Sequence, residues 1–539
     1  MNVPAWAAEA IALYESNAAS QFVLYGNVND RLLVPAEPAP ALGDLNDFLI
    51  RVLMPRFDVV LSYDLGNGIR VEKGGEVFQQ WPTLRDNPQL PKAPRAAVET
   101  LTHYFRYAAN LARAGRGRAQ VGCIIRAAHL LAPSIPGLNY DLSALALLMR
   151  DWSADPLLTG HTLATFLITE NLHDLHPLLV NNPRAAALKV PLPDTDDIQR
   201  ALAFFTPTGD RSADVVLAPL LAGVTLSAVE ALAKTAAHRK QPLTPDGLAR
   251  MKKELVEKDC NGLIEFIEPR RTLDDVHGQD AVKAWLRQDV ALWHRGDLKA
   301  LPMGYLLCGP VGTGKTFLVE CLAGEAGVPV VKLKNFRDRW VGSTEGNLEK
   351  IFRLLHGLGR CVVFVDEADQ SLGRRTTGDD SGISGRVYSM LAAEMGDPAN
   401  RGRIVWVLAS SRPDLIEVDL KRPGRIDVKI PLFPTATPAE GFRLIRALCG
   451  KLGVAIEEDT ATEFAPLVPP LLTPGAAETL AIKVYRHVRT RSLAPADALR
   501  QCLTGYQNPV PREVLDFQIQ LAVREASDLD FVPPAFREQ

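Results

Sequence analysis

The stretch Gly309, Pro310, Val311, Gly312, Thr313, Gly314, Lys315 and Thr316 constrains the fold of this chain more than any other. It satisfies the pattern G-x-x-x-x-G-K-[ST], and its flanks suit that pattern. Tyr305-Leu306-Leu307-Cys308 reads as a buried strand before it; Phe317-Leu318-Val319 with Cys321-Leu322-Ala323 reads as a helix after it. A strand, a glycine-rich loop and a helix in this order turn backbone N–H groups inward around a polyphosphate, and the helix N-terminus adds partial positive charge. Lys315 then reaches the β/γ oxygens, and the Thr316 hydroxyl is placed to ligate Mg²⁺. A glycine-rich turn without a ligand is the alternative, and the strand–loop–helix context argues against it.

Downstream, Cys361-Val362-Val363-Phe364-Val365 runs into Asp366-Glu367-Ala368-Asp369. A run of β-branched and aromatic residues ending in acids reads as a central parallel strand that delivers carboxylates to the sheet edge where the phosphate loop also sits. Asp366 is expected to hold magnesium through its water shell, and Glu367 to orient and polarise the attacking water. An ordinary strand capped by an acidic helix is the competing reading. The chemistry implied is hydrolysis of ATP with Mg²⁺.

From Asp274 onward the chain resembles a known family. The phosphate loop, Asp366 to Asp369, and Leu420-Lys421-Arg422-Pro423-Gly424-Arg425-Ile426-Asp427 are together similar to the classical clade of AAA ATPases. The motor of the FtsH proteases is the nearest resemblance, with Ala323-Gly324-Glu325-Ala326-Gly327-Val328-Pro329 close to that family's wording. The similarity covers roughly residues 270 to 490. It implies a ring, usually a homo-hexamer, with nucleotide sites between subunits, and Arg422 and Arg425 match the two arginines that such rings present to a neighbour's ATP. Surface salt-bridging is the alternative for that pair. The resemblance adds Phe317 and the turn Val276-His277-Gly278 to the nucleotide-binding set. It places Ser411 where the family carries an asparagine that senses the γ-phosphate. Serine has a shorter reach and no amide, so rate rather than binding is put in question. Thr473-Pro474-Gly475-Ala476 resembles the sensor-2 segment, with Gly475 or Ala476 against the adenosine. Trp340-Val341-Gly342 matches an aromatic–apolar–glycine step that grips polypeptide in the central pore; a core position for Trp340 is the other reading.

The front half repeats this pattern without its chemistry. An offset of 240 lays Leu167 to Asn171 on Val407 to Ser411, Asp174-Leu175 on Asp414-Leu415, Pro183 on Pro423, Lys189 on Lys429, and Val121 to Ile125 on Cys361 to Val365. Asp366 and Glu367 are then answered by Arg126 and Ala127, and Arg422 and Arg425 by Asn182 and Ala185. Arginine does not hold magnesium and alanine does not orient water. Two stretches compete for the phosphate-loop position, Leu24 to Arg31 and Tyr63 to Arg70, and neither has the Lys-Thr pair. Two unrelated α/β units with coincidental spacing are the alternative. The expected fold is α/β, with tandem AAA-like modules. Each has a parallel-sheet P-loop core and a small helical lid, and the first is degenerate. The expected boundaries are 1–195 for the degenerate module, 196–258 for a lid-like segment, 259–435 for the active large domain, and 436–539 for the lid and C-terminal helices. Thr225 to Leu232 resembles the lid helix of the clade, a second helix is expected from Pro245 to Lys258 behind Thr244, and Asp259 to Arg271 connects the halves. A silent front module joined to an FtsH-like motor resembles a group of cyanobacterial and plastid AAA ATPases.

Composition narrows the function. At 539 residues, 47% hydrophobic and 23% charged, the chain has room for several cores. The longest apolar run, Val215 to Val229, is interrupted and too short for a membrane span. Met1 to Ser16 lacks the basic start of a signal peptide. No counterpart of the zinc helix or membrane anchor of FtsH is expected. Seven cysteines without C-x-x-C spacing fit buried thiols in a cytoplasmic protein. His173 and His176 suggest a metal pair only weakly, and Gly378 to Gly382 reads as a pore-lining or solvated loop. A net charge of −3 gives no strong nucleic-acid signal. The expected function is an ATP-driven ring that remodels, unfolds or disassembles a protein client. A regulatory or scaffold ATPase and a nucleic-acid motor are the alternatives.

Overall fold

In both halves the central strands lack polar alternation, as strands covered on both faces require. The computed structural model describes residues 3–35, 41–86, 89–117, 119–135, 139–159, 163–205, 217–239, 252–254, 256–257, 260, 262–334, 344–372 and 382–537. Trp340, Val341 and Gly342 fall outside them, as do residues 378–381 of the second candidate loop and 245–251 of the expected second lid-like helix. Chain contacts divide the molecule into two units, Met1–Val256 with Glu345–Gly357, and Glu257–Thr344 with Leu358–Gln539.

The first unit carries β1 (Gln21–Gly26), the short hairpin β2 (Leu32–Val34) and β3 (Ala41–Gly43), then β4 (Val59–Asp64), β5 (Gly68–Lys73), β6 (Val121–Ile125), β7 (Leu163–Ile168) and β8 (Ala185–Val190). Its main sheet has the order β5-β4-β6-β7-β1-β8. One face packs on the helix Pro94–Arg113, whose buried Leu101, Phe105 and Ala108 lie three and four residues apart; the other packs on Ala5–Glu15, through Trp6 and Ala10. Helices Thr195–Phe205 and Leu226–Arg239 form a small separate core, so the helix expected around Thr225 to Leu232 is present.

The second unit carries β9 (Ile264–Ile267), β10 (Gly304–Cys308), β11 (Val330–Leu333), β12 (Cys361–Val365), β13 (Ile404–Ser410) and β14 (Val428–Pro431), ordered β14-β10-β13-β12-β11-β9. β10, β12 and β13 are buried at every position. The helix Pro438–Lys451, with Pro474–Arg491 and Pro495–Thr504, builds a lid with its own core around Phe442, Phe464 and Leu480. The C-terminal helix Arg512–Glu525 returns to the sheet, where Leu515, Ile519 and Ala522 pack with Cys308 and Phe433.

Read from opposite ends, the two sheets have the same order, with β1 in the place of β10, β4 of β11, β6 of β12, β7 of β13 and β8 of β14. All pairings are parallel except at one edge, where β5 and β9 run antiparallel to their neighbours. The stretch Leu24 to Arg31 therefore stands at the phosphate-loop position, because it spans the end of β1 and the loop that follows. Tyr63 to Arg70 is instead the β4–β5 turn.

The constant offset of 240 needs correction. It holds at β6 and β12, where Ala127 and Glu367 share left-handed φ angles of 48° and 47° and each opens a short helix. Val121, however, pairs with Leu163 whereas Cys361 pairs with Ile404, so β13 lies one residue further along than β7 at that offset. Thr169 then answers Ser410, and Glu170 rather than Asn171 answers Ser411. At the next strand the shift is two. Gly26 approaches the carbonyl of Val190 as Gly309 approaches that of Leu432. Ala185 thus opens β8 and does not stand opposite Arg425. Hydrogen-bonded ladders fix register inside a sheet, while connecting turns absorb added residues.

Candidate nucleotide site

The phosphate loop leaves β10 at the C-terminal edge of the sheet and enters the helix Lys315–Ala326. Gly309 has φ +144°, and a Cβ there would lie 2.1 Å from the Leu432 carbonyl oxygen. Gly314, at φ 85°, caps the helix in the left-handed region. A side chain at either position would strain the turn that brings the loop's N–H groups together. Lys315 Nζ donates to the carbonyls of Gly309 at 2.8 Å and Pro310 at 3.0 Å, and burial lowers its pKa to about 8. Thr316 Oγ1 donates to Asp366 Oδ2 at 3.1 Å. This pair brings a hydroxyl oxygen and a carboxylate together at a helix N-terminus, a donor set of hard oxygens suited to Mg²⁺.

Glu367 follows with positive φ, and its N–H donates to Asp366 Oδ1 at 3.1 Å. A glutamate in the left-handed region is uncommon and fixes the direction in which its carboxylate leaves the strand. Ser411 lies on the cleft wall. Its neighbour Ser410 is buried and bridges two elements, donating to Asp369 and accepting from the Arg412 N–H. The acidic strand end and β13 are thereby tied to each other.

These residues open on a cleft of about 1360 Å³ between sheet edge and lid. Val276, His277 and Gly278 form one wall, with Phe317 beside them. Burial, then Lys451 and Lys283, holds the His277 imidazole below its ordinary pKa. The lid meets the loop directly, as the Gly475 N–H donates to the Gly312 carbonyl at 2.9 Å. Gly475 lines the cleft, whereas Ala476 is buried in the lid core, so only the former of the two candidates stands at the cleft.

Arg422 and Arg425 are not brought to this cleft. Both are held by Asp419 of their own chain, Arg422 Nη1 at 2.8 Å from Oδ1 and Arg425 bonded to Oδ2 and to the backbone carbonyl. Those two guanidinium bonds lower the Asp419 pKa. His173 lies 3.2 Å from Glu349, and His176 accepts from the Leu178 N–H. Among the described residues no cluster of three potential metal ligands occurs and no helix is long and apolar enough to cross a membrane. All seven cysteines are buried.

Several contributors escaped the sequence reading. Gln518 Oε1, on the C-terminal helix, accepts from the Val311 N–H at 3.2 Å, and Asp530 to Pro534 with Arg537 wall the cleft. Lys332 Nζ, on β11, lies 3.0 Å from Asp366 Oδ2. No motif marks these residues, because each reaches the site across a tertiary contact.

At the matching loop of the first unit, Asp30 is buried. Its carboxylate accepts from the N–H groups of Leu226 and Ser227, both at 2.8 Å, and from Asn27 Nδ2 at 2.9 Å. An internal carboxylate thus caps a helix from the loop that follows β1.

A phosphate loop, an acidic strand end and a lid on a six-stranded α/β sheet define a P-loop nucleotide-binding domain. Residues 305–433 match the family model described as ATPase family associated with various cellular activities (AAA), and residues 1–191 match that of the AAA+ chaperone, N-terminal Rossmann-like domain. Both matches are to AAA-type domain models, one in each half of the chain. Similar curated proteins include Protein SAV of Sulfolobus acidocaldarius, 32% identical over 36% of this chain and 26% of its own length. The peroxisomal ATPase PEX6 of Kluyveromyces lactis is 33% identical over 34% and 19%. The ATP-dependent zinc metalloprotease FtsH of Acidothermus cellulolyticus is 31% identical over 35% and 30%. The chain therefore spans well under two thirds of the length of these relatives.

Proposed function

We propose that this chain is an ATPase that works in an oligomeric ring, a homo-hexamer by family analogy, to remodel, unfold or disassemble a protein partner. The observation that carries the reading is the convergence of Lys315, Thr316, Asp366 and Glu367 at one sheet edge, with Thr316 and Asp366 already bonded. In this reading Gly309 to Phe317 wrap the triphosphate, Val276 to Gly278 and Gly475 flank the adenosine, and Thr316 and Asp366 hold Mg²⁺. The metal would neutralise charge shared by the β- and γ-oxygens. Glu367 orients the attacking water, Ser411 contacts the γ-phosphate, and Arg422 and Arg425 leave Asp419 for a neighbouring subunit's nucleotide. The sheet repeat supports 1–195 as a degenerate module with 196–258 as its lid-like segment, and 259–435 and 436–539 as motor and lid. Trp340, Val341 and Gly342 serve as the client-gripping step, and the setting is the cytoplasm. An FtsH-like motor is the finer version of the kinship.

The test is Glu367→Gln. It is expected to bind ATP with wild-type affinity and to lose turnover by at least about 10²-fold; full turnover would remove Glu367 from its role. A regulatory ATPase is the second reading, favoured by Ser411 in place of an amide. Stimulation of ATPase by unfolded polypeptide separates the two, since a switch that only governs assembly has no client to respond to.

A further inference from the structure

Among the described residues Asp366 Oδ2 has two donors, and only Thr316 belongs to the nucleotide motif. The second is Lys332 Nζ at 3.0 Å. Lys332 sits in β11, where it pairs in register with Phe364 of β12, and its ammonium lies 5.4 Å from the Phe364 ring centroid. The side chain is therefore directed along the strand towards the acidic end, and both partners are partly covered, at 26% and 30% exposure. The other oxygen, Oδ1, accepts the Glu367 N–H. Each carboxylate oxygen is thus engaged before any cation arrives.

We propose that Lys332 is a resident stand-in for the divalent cation: it neutralises Asp366 when metal is absent, and it must yield that carboxylate oxygen when Mg²⁺ enters with ATP. The inference rests on the nucleotide-site reading above. Asp366 points at the edge where a triphosphate binds, and an uncompensated carboxylate there would repel it. An ammonium at hydrogen-bond distance removes that repulsion without a metal. The same ammonium repels an approaching dication and shares the oxygen the metal's water shell needs. Lys332 therefore acts in opposite directions on two measurable quantities, strengthening metal-free ATP binding and weakening Mg²⁺ recruitment. Mere strand packing would move neither in this paired way. Lys332 is a positioning residue, since it acts through Asp366.

The experiment measures binding of a fluorescent ATP analogue to the full chain, in EDTA and across a Mg²⁺ titration, for wild type, Lys332→Met and Lys332→Arg. For Lys332→Met we expect metal-free affinity to fall about tenfold and the half-saturating Mg²⁺ concentration to fall about fivefold to tenfold. Lys332→Arg, which keeps the charge, should stay within about twofold of wild type in both. Unchanged values in Lys332→Met, or equal loss in Lys332→Arg, overturn the proposal while leaving the nucleotide site intact. Failure of wild type itself to bind the analogue overturns the site reading, and this inference with it. Circular dichroism of each variant separates a folding defect from a changed site, and Lys332→Gln replaces Lys332→Met if the latter unfolds.

Discussion

Lys315→Met is expected to make the protein more stable while it abolishes nucleotide binding. Lys315 lies among the loop carbonyls, and burial lowers its pKa from an ordinary 10.5 to about 8. Keeping the ammonium charged in the folded state therefore costs free energy. A drop of about 2.5 units at about 1.4 kcal/mol per unit is about 3–4 kcal/mol. Residual exposure of the side chain and its two bonds to the Gly309 and Pro310 carbonyls offset part of this. The net gain expected for Lys315→Met near neutral pH is about 1–2 kcal/mol. The sign of the pH dependence follows from the same shift. The lowered folded pKa means the unfolded chain binds more protons between about pH 8 and about pH 10.5, so wild-type stability rises with pH there. Below about pH 8 the penalty is fully present. Urea unfolding of both proteins at about pH 7 and about pH 9.5 should show Lys315→Met ahead at the lower pH and its advantage shrinking at the higher. A variant less stable than wild type at neutral pH, or a difference independent of pH, would refute the claim that the loop stores a desolvated charge for a polyphosphate to meet.

Two further substitutions probe the frame around the site. Gly309→Ala places a Cβ 2.1 Å from the Leu432 carbonyl oxygen at φ +144°, so the loop must shift; calorimetric ATP affinity should fall by at least about tenfold, and wild-type affinity would show the close approach to be dispensable. Tyr305→Phe removes the hydroxyl that lies 2.6 Å from buried Asp289, whose pKa burial raises. A loss of about 1–3 kcal/mol is expected in urea unfolding, and no loss would show that Asp289 finds another donor.

The path from sequence to site shows where pattern suffices and where it stops. The phosphate loop and the acidic strand end were legible because each is a local arrangement, a strand followed at once by the residues it delivers. The repeat was legible in outline for the same reason, since apolar runs at similar spacing mark equivalent strands. Register was not. One added residue between β12 and β13 moves Glu170 into the place assigned to Asn171, and only hydrogen-bonded ladders reveal that shift. The antiparallel edge strands β5 and β9 were also missed, because direction is decided by pairing rather than composition. Lys332 escaped notice because its partner is reached through a neighbouring strand, and Gln518 because the C-terminal helix folds back from far along the chain. The two arginines illustrate a third case. Their motif was legible, and their restraint by Asp419 was not.

The central claim is that one nucleotide pocket in the second unit is completed by arginines from another copy of the chain. Mixing two inactive variants tests it most directly: Glu367→Gln, which keeps the arginines, and the double substitution Arg422→Ala with Arg425→Ala, which keeps the pocket. ATPase activity restored on mixing, where neither protein alone turns over, is the predicted result. A mixture as inactive as its parts, or a double variant that hydrolyses ATP at the wild-type rate, would contradict the account.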